Sequence, residues 1–330
     1  MKKKIKKIST AGMSREDWLL ERKRSLGGSD MGAILGLNKW RSPYAVWAEK
    51  TSRIAEEEDN EAMRQGRDLE PYVAQRFCEA SGMTVRRVNA ILRNPDFPHI
   101  HANIDREIAG ISAGLECKTA SALSESAFLD GFPQSYYAQC VTYLAVTEYR
   151  RWYLAVLVLG RGFLIYQMTR EENDVCPTWC EGSVYVSDGE IEALRQAAID
   201  FWALVENDTP PAVDGSDSTT EALKTIYADS VERNIDLSIP SVENAIVAYL
   251  KLKAEEKERK KLIEEQANII KEYMKEAESG VSRYGKVTWK PQARESFDRK
   301  AFAETYPTVD LSKFCKVSTS RVFKVTAAEK

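Results

Sequence analysis

Three charged residues near the middle of the chain have types and spacing suited to chemistry on a phosphodiester. Asp105 is followed by ten residues and then by Glu116-Cys117-Lys118. Alternate residues of a β-strand point to the same face, so Glu116 and Lys118 should project together. If the chain turns tightly at Gly110, Asp105 lies directly across from Glu116, with the two Cβ atoms ~5 Å apart.

Two carboxylates at that separation repel each other unless a cation lies between them, and Mg²⁺ or Mn²⁺ would satisfy both. Such an ion polarises a phosphate and activates water, while the Lys118 ammonium positions or deprotonates that water. Cys117 should turn its side chain into the core, and its main-chain carbonyl is a further candidate metal ligand. Taken alone, however, the short pattern also fits an exposed Asp105 and a surface ion pair between Glu116 and Lys118.

Four further blocks surround this pattern in a fixed order. Together with it they resemble the phage lambda-type exonucleases and the wider YqaJ-like viral recombinase family over roughly residues 15 to 205. The blocks are Trp18-x3-Arg22-x6-Ser29, Gly66-x-x-Leu69-Glu70-Pro71, Asp105 with Glu116-x-Lys118, Tyr137-Ala138-Gln139, and Tyr143-Leu144-Ala145-Val146-Thr147.

The resemblance implies a role for each matching residue. Asp105 and Glu116 would bind metal, Glu70 beside them would be a further metal ligand, and Lys118 would be catalytic. The candidates outside that set are Gln139, which would approach the active site, and Arg22 with Ser29, which would bind a terminal 5′-phosphate.

The residues themselves leave three of these roles open. Ser29 at a helix N-terminus and Arg22 can bind a phosphate, but they can equally be an N-cap and a surface arginine. Glu70 precedes a proline within a helix, which favours a site role over a surface position. Gln139 can instead satisfy a buried polar partner.

The chain also departs from the family pattern at two places. Members usually have Ser-Pro-Asp-Gly at the first carboxylate, whereas this sequence reads Asn103-Ile104-Asp105-Arg106. In addition, Val141 stands where the family has a second glutamine.

Helices and strands alternate in a way that predicts α/β architecture. By resemblance the fold is a PD-(D/E)XK core, a mixed central sheet flanked by helices, with a C-terminal helical arm and a small β appendage. The predicted helices cover 15–24, 29–36, a segment opened by Ser42-Pro43, 60–81 with a kink or restart near Glu70, 132–149 and 189–206. The predicted strands cover 83–88, 99–108, 112–121, 150–160 and 161–170, the last two as a hairpin.

The composition changes after Asp208. We therefore predict a nuclease-like domain over 1–208, a linker over 209–240, and a C-terminal module over 241–330. That module should contain a highly charged, solvated helix. The alternating segments 284–290 and 320–325 could form a small sheet with the residues between them.

Composition narrows the class of protein without naming a function. The net charge of -3 gives no general attraction for nucleic acid, so DNA must be bound by local basic surface or by cations. The six cysteines lack paired CxxC spacing and read as reduced thiols. No apolar run is long enough to cross a membrane, which predicts a cytoplasmic protein. His99 and His101 have a strand spacing that could bind a transition metal, but no third ligand of matching type is evident, so they are expected to be solvated or at the edge of the core.

The leading hypothesis is a Mg²⁺-dependent 5′-to-3′ exonuclease that acts on the ends of double-stranded DNA and leaves 3′ overhangs for phage-type recombination. The resemblance implies a ring, often a trimer, a single-strand annealing protein as partner, and a phage or prophage origin in a bacterial host. Two alternatives remain: a restriction-like or Cas4-like endonuclease of the same fold, and a catalytically silent protein that binds DNA ends and recruits others.

Overall fold

The structure is a computed structural model, and it describes residues 4–55, 60–128, 131–316 and 320–327. The chain divides into two compact units, Met1–Tyr227 and Ala228–Lys330. Every residue that the sequence singled out for chemistry lies in the first unit.

The helices are α1 (Arg15–Arg22), α2 (Gly28–Ile34), α3 (Pro43–Lys50), α4 (Glu61–Ser81), α5 (Gln134–Thr147), α6 (Asp188–Glu206), α7 (Asp217–Ile226), α8 (Pro240–Met274) and α9 (Arg299–Thr305), with short 3₁₀ helices at Ala122–Phe128 and Leu311–Phe314. The strands are β1 (Lys6–Ser9), β2 (Val85–Arg87), β3 (Ala90–Arg93), β4 (His101–Asn103), β5 (Arg106–Ile108), β6 (Ala113–Ala120), β7 (Arg151–Val158), β8 (Gly162–Thr169), β9 (Gly182–Tyr185), β10 (Ser279–Ser282) and β11 (Gly285–Thr288).

A six-stranded mixed sheet with the order β2-β5-β6-β7-β8-β9 organises the first unit. The pairs β6–β7 and β8–β9 are parallel, and the other neighbours are antiparallel. Side chains alternate between the faces of β7: Tyr153 and Ala155 pack with Phe77 of α4, whereas Trp152 and Leu154 pack on the side of α5. Both faces are therefore covered by helices.

The same alternation sorts the side chains of β6. Leu115 and Cys117 belong with the cluster that α4 covers, and Glu116 hydrogen-bonds to Gln139 of α5. Glu116 and Lys118 thus share the α5 face of the sheet, as the strand period requires, and Cys117 turns the other way, as expected from the sequence.

The predicted strand over 99–108 is divided in two by a bend. β4 joins β1 and β3 in a separate three-stranded antiparallel sheet, whereas β5 joins the main sheet. The backbone groups of the two halves form their hydrogen bonds in different sheets. The prediction of one continuous strand over 99–108 was therefore wrong. Asp105 stands at the junction. The sequence also failed to predict β1, β3 and β9.

Helix α4 begins and ends where the sequence indicated. The Asn60 side chain accepts a hydrogen bond from the Met63 amide, and Gly82 closes the helix. Pro71 lies inside a single helix of 21 residues, so the helix does not restart near Glu70.

The first unit extends beyond the predicted boundary at Asp208. Helix α7 falls within the predicted linker, yet it packs against α3. The Ser42 amide donates to Ser218 Oγ at 3.1 Å, and the Thr219 hydroxyl donates to Ser42 Oγ at 2.9 Å. These buried contacts join α7 to the core, and the segment 209–240 is not one linker.

In the second unit, α8 has no buried residue, in agreement with the predicted solvated helix. Strand β11 pairs with β10. The predicted small sheet is present, but its second strand, β10, precedes the segment 284–290, whereas 320–325 form no strand. Among the described residues, no helix combines the length and apolarity needed to cross a bilayer.

Candidate active site

Asp105 and Glu116 are brought together by the β5–β6 hairpin. Arg106 pairs with Leu115 at the end of the hairpin, and Asp105 and Glu116 are the next residues beyond that pair on the two sides. Gly110 has a φ of 84°, a left-handed conformation that glycine adopts without a steric penalty, and it allows the tight turn. The Cys117 amide donates to Asp105 Oδ2 at 2.8 Å and fixes that carboxylate beside β6.

Glu116 is only 3% exposed, and its two oxygens have different surroundings. Oε1 accepts a hydrogen bond from Gln139 Nε2 at 2.6 Å and an ion pair from Lys118 Nζ at 2.7 Å. Oε2 is buried and has no hydrogen-bond partner among the described residues. A buried carboxylate oxygen in that condition is costly unless something else binds it.

The electrostatics of the site also indicate that a cation would be bound favourably there. Burial and then the negative charge of Glu116 raise the pKa of Asp105 well above its usual range, against the opposing hydrogen bond from the Cys117 amide. Burial would lower the pKa of Lys118, but the charges of Glu116 and Asp105 outweigh it and the net shift is upward. Lys118 therefore carries a positive charge at neutral pH. Among the described residues it is the one cation that forms an ion pair with Glu116.

Glu70 reaches the same place from α4. It lines a polar cavity of about 170 Å³ together with Asp105. Its Oε1 binds Arg106 Nη1 in an ion pair, and the same nitrogen donates to the Asp105 carbonyl oxygen at 2.8 Å. The other residues that line the cavity are Thr10, Trp18, Arg87, Val88, Asn89, Ala90, Asn103 and Ile104.

The donor set at Asp105 and Glu116 fits a hard divalent cation. Within the described ranges, no three His, Cys, Asp or Glu side chains form a complete cage for a metal ion. Two carboxylates and an unpartnered buried oxygen nevertheless suit Mg²⁺, which commonly keeps waters and substrate phosphates as its other ligands. Burial raises the pKa of the Cys117 thiol well above its usual range, so a thiolate ligand is not expected there.

Gln139 has both of the roles that were considered for it from the sequence, an approach to the site and a hydrogen bond to a buried polar partner. It is 8% exposed, and its amide donates to Glu116 and to the Tyr143 hydroxyl at 2.7 Å. It therefore satisfies a buried polar partner, and that partner is the candidate metal-binding carboxylate.

Comparisons with known proteins identify the family. The model of the YqaJ-like viral recombinase domain matches residues 17–150. The protein YqaJ of Bacillus subtilis (strain 168) is 38% identical over 303 residues, which cover 90% of each chain. The chain belongs to the YqaJ-like viral recombinase family.

Among solved structures, this chain is similar to the alkaline exonuclease LHK-Exo of Laribacter hongkongensis. The two are 19% identical with a TM-score of 0.47, over 58% of this chain and 93% of that one. Its complex with dAMP gives a TM-score of 0.48 at 19% identity, over 64% and 98% of the two chains. The expected architecture, a mixed central sheet flanked by helices, is confirmed by the structure.

Of the two candidates for phosphate binding in this YqaJ-family chain, Arg22 contacts a residue of the cavity, and Ser29 differs from the prediction in its position on the helix. Arg22 ends α1, with its guanidinium 4.5 Å from the ring centroid of Trp18, a cavity residue. Ser29 is exposed in the first turn of α2, and Gly27, not Ser29, is the N-cap. The helix starts before Ser29 because the Asp30 carboxylate accepts a hydrogen bond from the Gly27 amide at 2.8 Å.

Gly28 couples α2 to the site. A Cβ there would lie 2.9 Å from Gln139 Cγ, 2.9 Å from Tyr143 Cε1 and 3.2 Å from the Gln139 carbonyl oxygen. We expect Gly28→Ala to lower the free energy of unfolding by about 1–3 kcal/mol, because it overpacks a closed contact. Nuclease activity should fall as well, since Gln139 holds Glu116.

Urea unfolding and a duplex digestion assay would measure both effects. Gly189→Ala is the matched control, since a Cβ at that exposed helical position meets nothing closer than Ser187 Oγ at 3.8 Å. Equal stability of the two alanine variants would show that α2 does not press on α5.

Sequence reasoning missed the buried ion cluster beneath α2. Asp30 is fully buried and binds Arg41 Nη1 at 2.6 Å and Lys50 Nζ at 2.7 Å. Lys50 also donates to the carbonyl oxygens of Arg22 and Ser25. The available signal was a carboxylate three residues after Gly27, which is the spacing of a capping box.

His101 lies against this cluster and gives a pH-dependent stability. Its Nδ1 is 2.9 Å from Ser25 Oγ, and burial and then the charge of Lys50 lower its pKa to about 3. The unfolded chain binds a proton near pH 6.5 and the folded chain does not. The stabilisation is thus complete above pH 6.5 and is lost as the pH falls towards 3, by about 2 kcal/mol at pH 5.

Urea unfolding of the wild type and of His101→Gln at several pH values between 7 and 5 would measure this contribution. The wild type should lose more stability than the variant over that interval. If the free energies of unfolding of the two proteins fell in parallel with pH, the contribution assigned to His101 would be contradicted.

Proposed function

We propose that the protein is a Mg²⁺-dependent exonuclease that degrades one strand of a DNA duplex from its 5′ end and leaves a 3′ overhang for homologous recombination. Membership of a viral recombinase family and the site together make it a nuclease. The observation that supports the proposal most is the meeting of Asp105, Glu116 and Lys118 around a buried carboxylate oxygen that has no partner in the described chain.

Each residue has a separate task in this proposal. Asp105 and Glu116 hold the ion, with the Cys117 carbonyl as a further ligand, and Glu70 lies beside them in the same cavity as Asp105. When bound, a divalent ion supplies positive charge that polarises the phosphate and makes a water molecule more acidic. Mn²⁺ should be able to replace Mg²⁺, since both prefer oxygen ligands.

Lys118 acts as a cation in this scheme. Because its pKa is raised, its ammonium group stays protonated, orients the attacking water and offsets the negative charge that develops on the phosphate. The sequence left deprotonation of the water by Lys118 open, and of the two roles we propose positioning.

Arg22 and Ser29 are proposed to bind the terminal 5′-phosphate. The support for Arg22 is its contact with Trp18, which shares the cavity of Asp105 and Glu70. A guanidinium can hold two phosphate oxygens at once, and the exposed Ser29 hydroxyl can donate a further hydrogen bond. Recognition of an end in this way favours an exonuclease over a restriction-like endonuclease.

A Cas4-like enzyme is disfavoured on another ground. Its iron-sulfur cluster needs four cysteine ligands. Of the cysteines, Cys117 and Cys140 occupy the core region around the site, and burial raises the pKa of both thiols. No cluster of three possible metal ligands occurs within the described residues.

The experiment compares three substrates with and without Mg²⁺: a linear duplex with 5′-phosphates, the same duplex with 5′-hydroxyls, and a closed circular duplex. We expect fast, Mg²⁺-dependent digestion of the first, slower digestion of the second and none of the third. Label release from the 5′ end before the 3′ end gives the polarity. Cleavage of the circle would support the endonuclease, and DNA binding without digestion would support the silent recruitment protein.

Three wider parts of the proposal need their own measurements. They are a trimeric ring, a single-strand annealing protein as partner, and a cytoplasmic location in the bacterial host of a phage. Light scattering of the purified chain would give the oligomeric state, and a mass of one chain would contradict the ring.

A further inference from the structure

Glu70 and Arg106 form an ion pair inside the site. Arg106 is 6% exposed, and its Nη1 contacts both Glu70 Oε1 and the Asp105 carbonyl oxygen. Arg87 Nη2 lies 4.0 Å from the same Glu70 oxygen, although the Arg87 side chain is 63% exposed. Glu70 therefore already has a buried counter-cation.

The three carboxylates of the site are thus neutralised unequally. Asp105 and Glu116 share one cation, Lys118, and Glu116 Oε2 is buried without a partner among the described residues. Glu70 has its own guanidinium. The unmet demand for positive charge lies between Asp105 and Glu116 and not at Glu70.

A second ion on Glu70 would be opposed by this arrangement. It would lie beside the guanidinium that binds the same carboxylate, and like charges repel strongly where water is scarce. Arg106 directly follows Asp105 in the sequence, and its hydrogen bond to the Asp105 carbonyl oxygen holds the guanidinium at this place.

We propose that the site holds one divalent ion, on Asp105 and Glu116, and that Glu70 is a positioning residue for Arg106 and not a metal ligand. Arg106 serves Glu70 as the counter-cation that a second ion would otherwise provide. The inference rests on the metal-dependent function proposed above, and it revises the ligand role that the sequence assigned to Glu70.

Calorimetric titration of the full chain with Mn²⁺ tests the inference by counting ions. Wild type should bind one ion per chain. Glu70→Gln should also bind one, with a Kd within about tenfold of wild type, the smaller end of the change caused by residues outside the coordination shell. Glu79→Gln, an exposed carboxylate of the same helix paired with Arg76 at 3.6 Å, is the matched control.

Variants of Arg106 give the sharper result. Arg106→Gln releases Glu70, so a second ion should bind, and Arg106→Lys should keep the count at one. In the double variant Glu70→Gln/Arg106→Gln the count should return to one. Cooperative thermal melting checks that each variant folds; if Arg106→Gln does not fold, the wild-type and Glu70→Gln titrations decide by themselves.

Two ions in the wild type, or a Glu70→Gln protein that binds Mn²⁺ more than tenfold more weakly, would overturn the inference. Digestion of linear duplex in the same preparations separates this failure from a failure of the function. Two ions with normal digestion overturn only the single-ion site, whereas no bound ion and no digestion overturn the nuclease itself.

Discussion

Replacing Lys118 by alanine should slow digestion of linear duplex DNA by about 10²- to 10³-fold, the usual cost of removing one preorganised group that stabilises developing charge. Lys118 Nζ is 2.7 Å from Glu116 Oε1, and its side chain is 23% exposed, so its charge acts where solvent screens weakly. No other lysine or arginine of the described chain forms an ion pair with Glu116 in the structure.

Steady-state digestion and an independent DNA-binding assay would separate catalysis from affinity. We expect the loss in kcat, with DNA binding largely retained, because one lysine among many basic groups contributes little to duplex affinity. Lys224→Ala is the control, since Lys224 is an exposed lysine paired only with Glu221 of its own helix turn. A Lys118→Ala enzyme with the wild-type rate would remove the catalytic role.

The pH profile adds a test of how Lys118 acts. Its raised pKa keeps the ammonium charged through neutral and mildly alkaline solution. The ratio of wild-type to Lys118→Ala rates should then be constant between about pH 7 and pH 9. A ratio that grows steeply with pH in that interval would indicate that the neutral amine, acting as a base, is the active form.

The centre of the site could be predicted because local rules determine it. The strand period fixes that Glu116 and Lys118 share a face, and the position of Gly110 fixes that Asp105 meets Glu116. The helix bounded by Asn60 and Gly82 follows from caps that lie within a few residues of its ends. In each case the residues that interact are close in sequence.

The surroundings of the site could not be predicted, because residues distant in the sequence determine them. The bend at Asp105 arises from the pairing of β4 with β3 in one sheet and of β5 with β2 in another. Contact between Glu70 and Arg106 joins α4 to β5, and nothing in either segment alone indicates it. Ser29 was chosen as the N-cap on propensity, whereas the carboxylate of Asp30 shifts the start of α2 to Gly27.

Loss of the charge on Asp30 should destabilise the fold more than Gly28→Ala, His101→Gln or Lys118→Ala. Asp30 is fully buried between Arg41 and Lys50, and their positive charges lower its pKa well below its usual value despite the opposing effect of burial. Asp30→Asn keeps the shape but leaves two cations without their shared partner. We expect the free energy of unfolding to fall by about 3–5 kcal/mol at neutral pH, as when one side of a buried ion pair is removed.

Asp30→Asn should also change how the free energy of unfolding depends on pH in acid solution. Because the folded pKa of Asp30 is depressed, its contribution is complete above the unfolded value near 3.8 and disappears as the pH falls below it. Wild type and Asp30→Asn should therefore differ most at neutral pH and converge in strong acid. Urea unfolding across this range measures the difference, and Glu61→Gln, at an exposed partner of Arg64, is the control that should change stability little.

A double-mutant cycle with Lys50→Met separates the ion pair from the cost of an uncompensated charge. Burial is the main influence that lowers the pKa of Lys50, and Asp30 is the main influence that raises it. Removing both charges should therefore cost less than the sum of the two single changes. Additive losses would mean that Asp30 stabilises the fold mainly by its hydrogen bond to the Gly27 amide, and then α2 would be held against α5 and Gln139 by its cap and not by the buried charges.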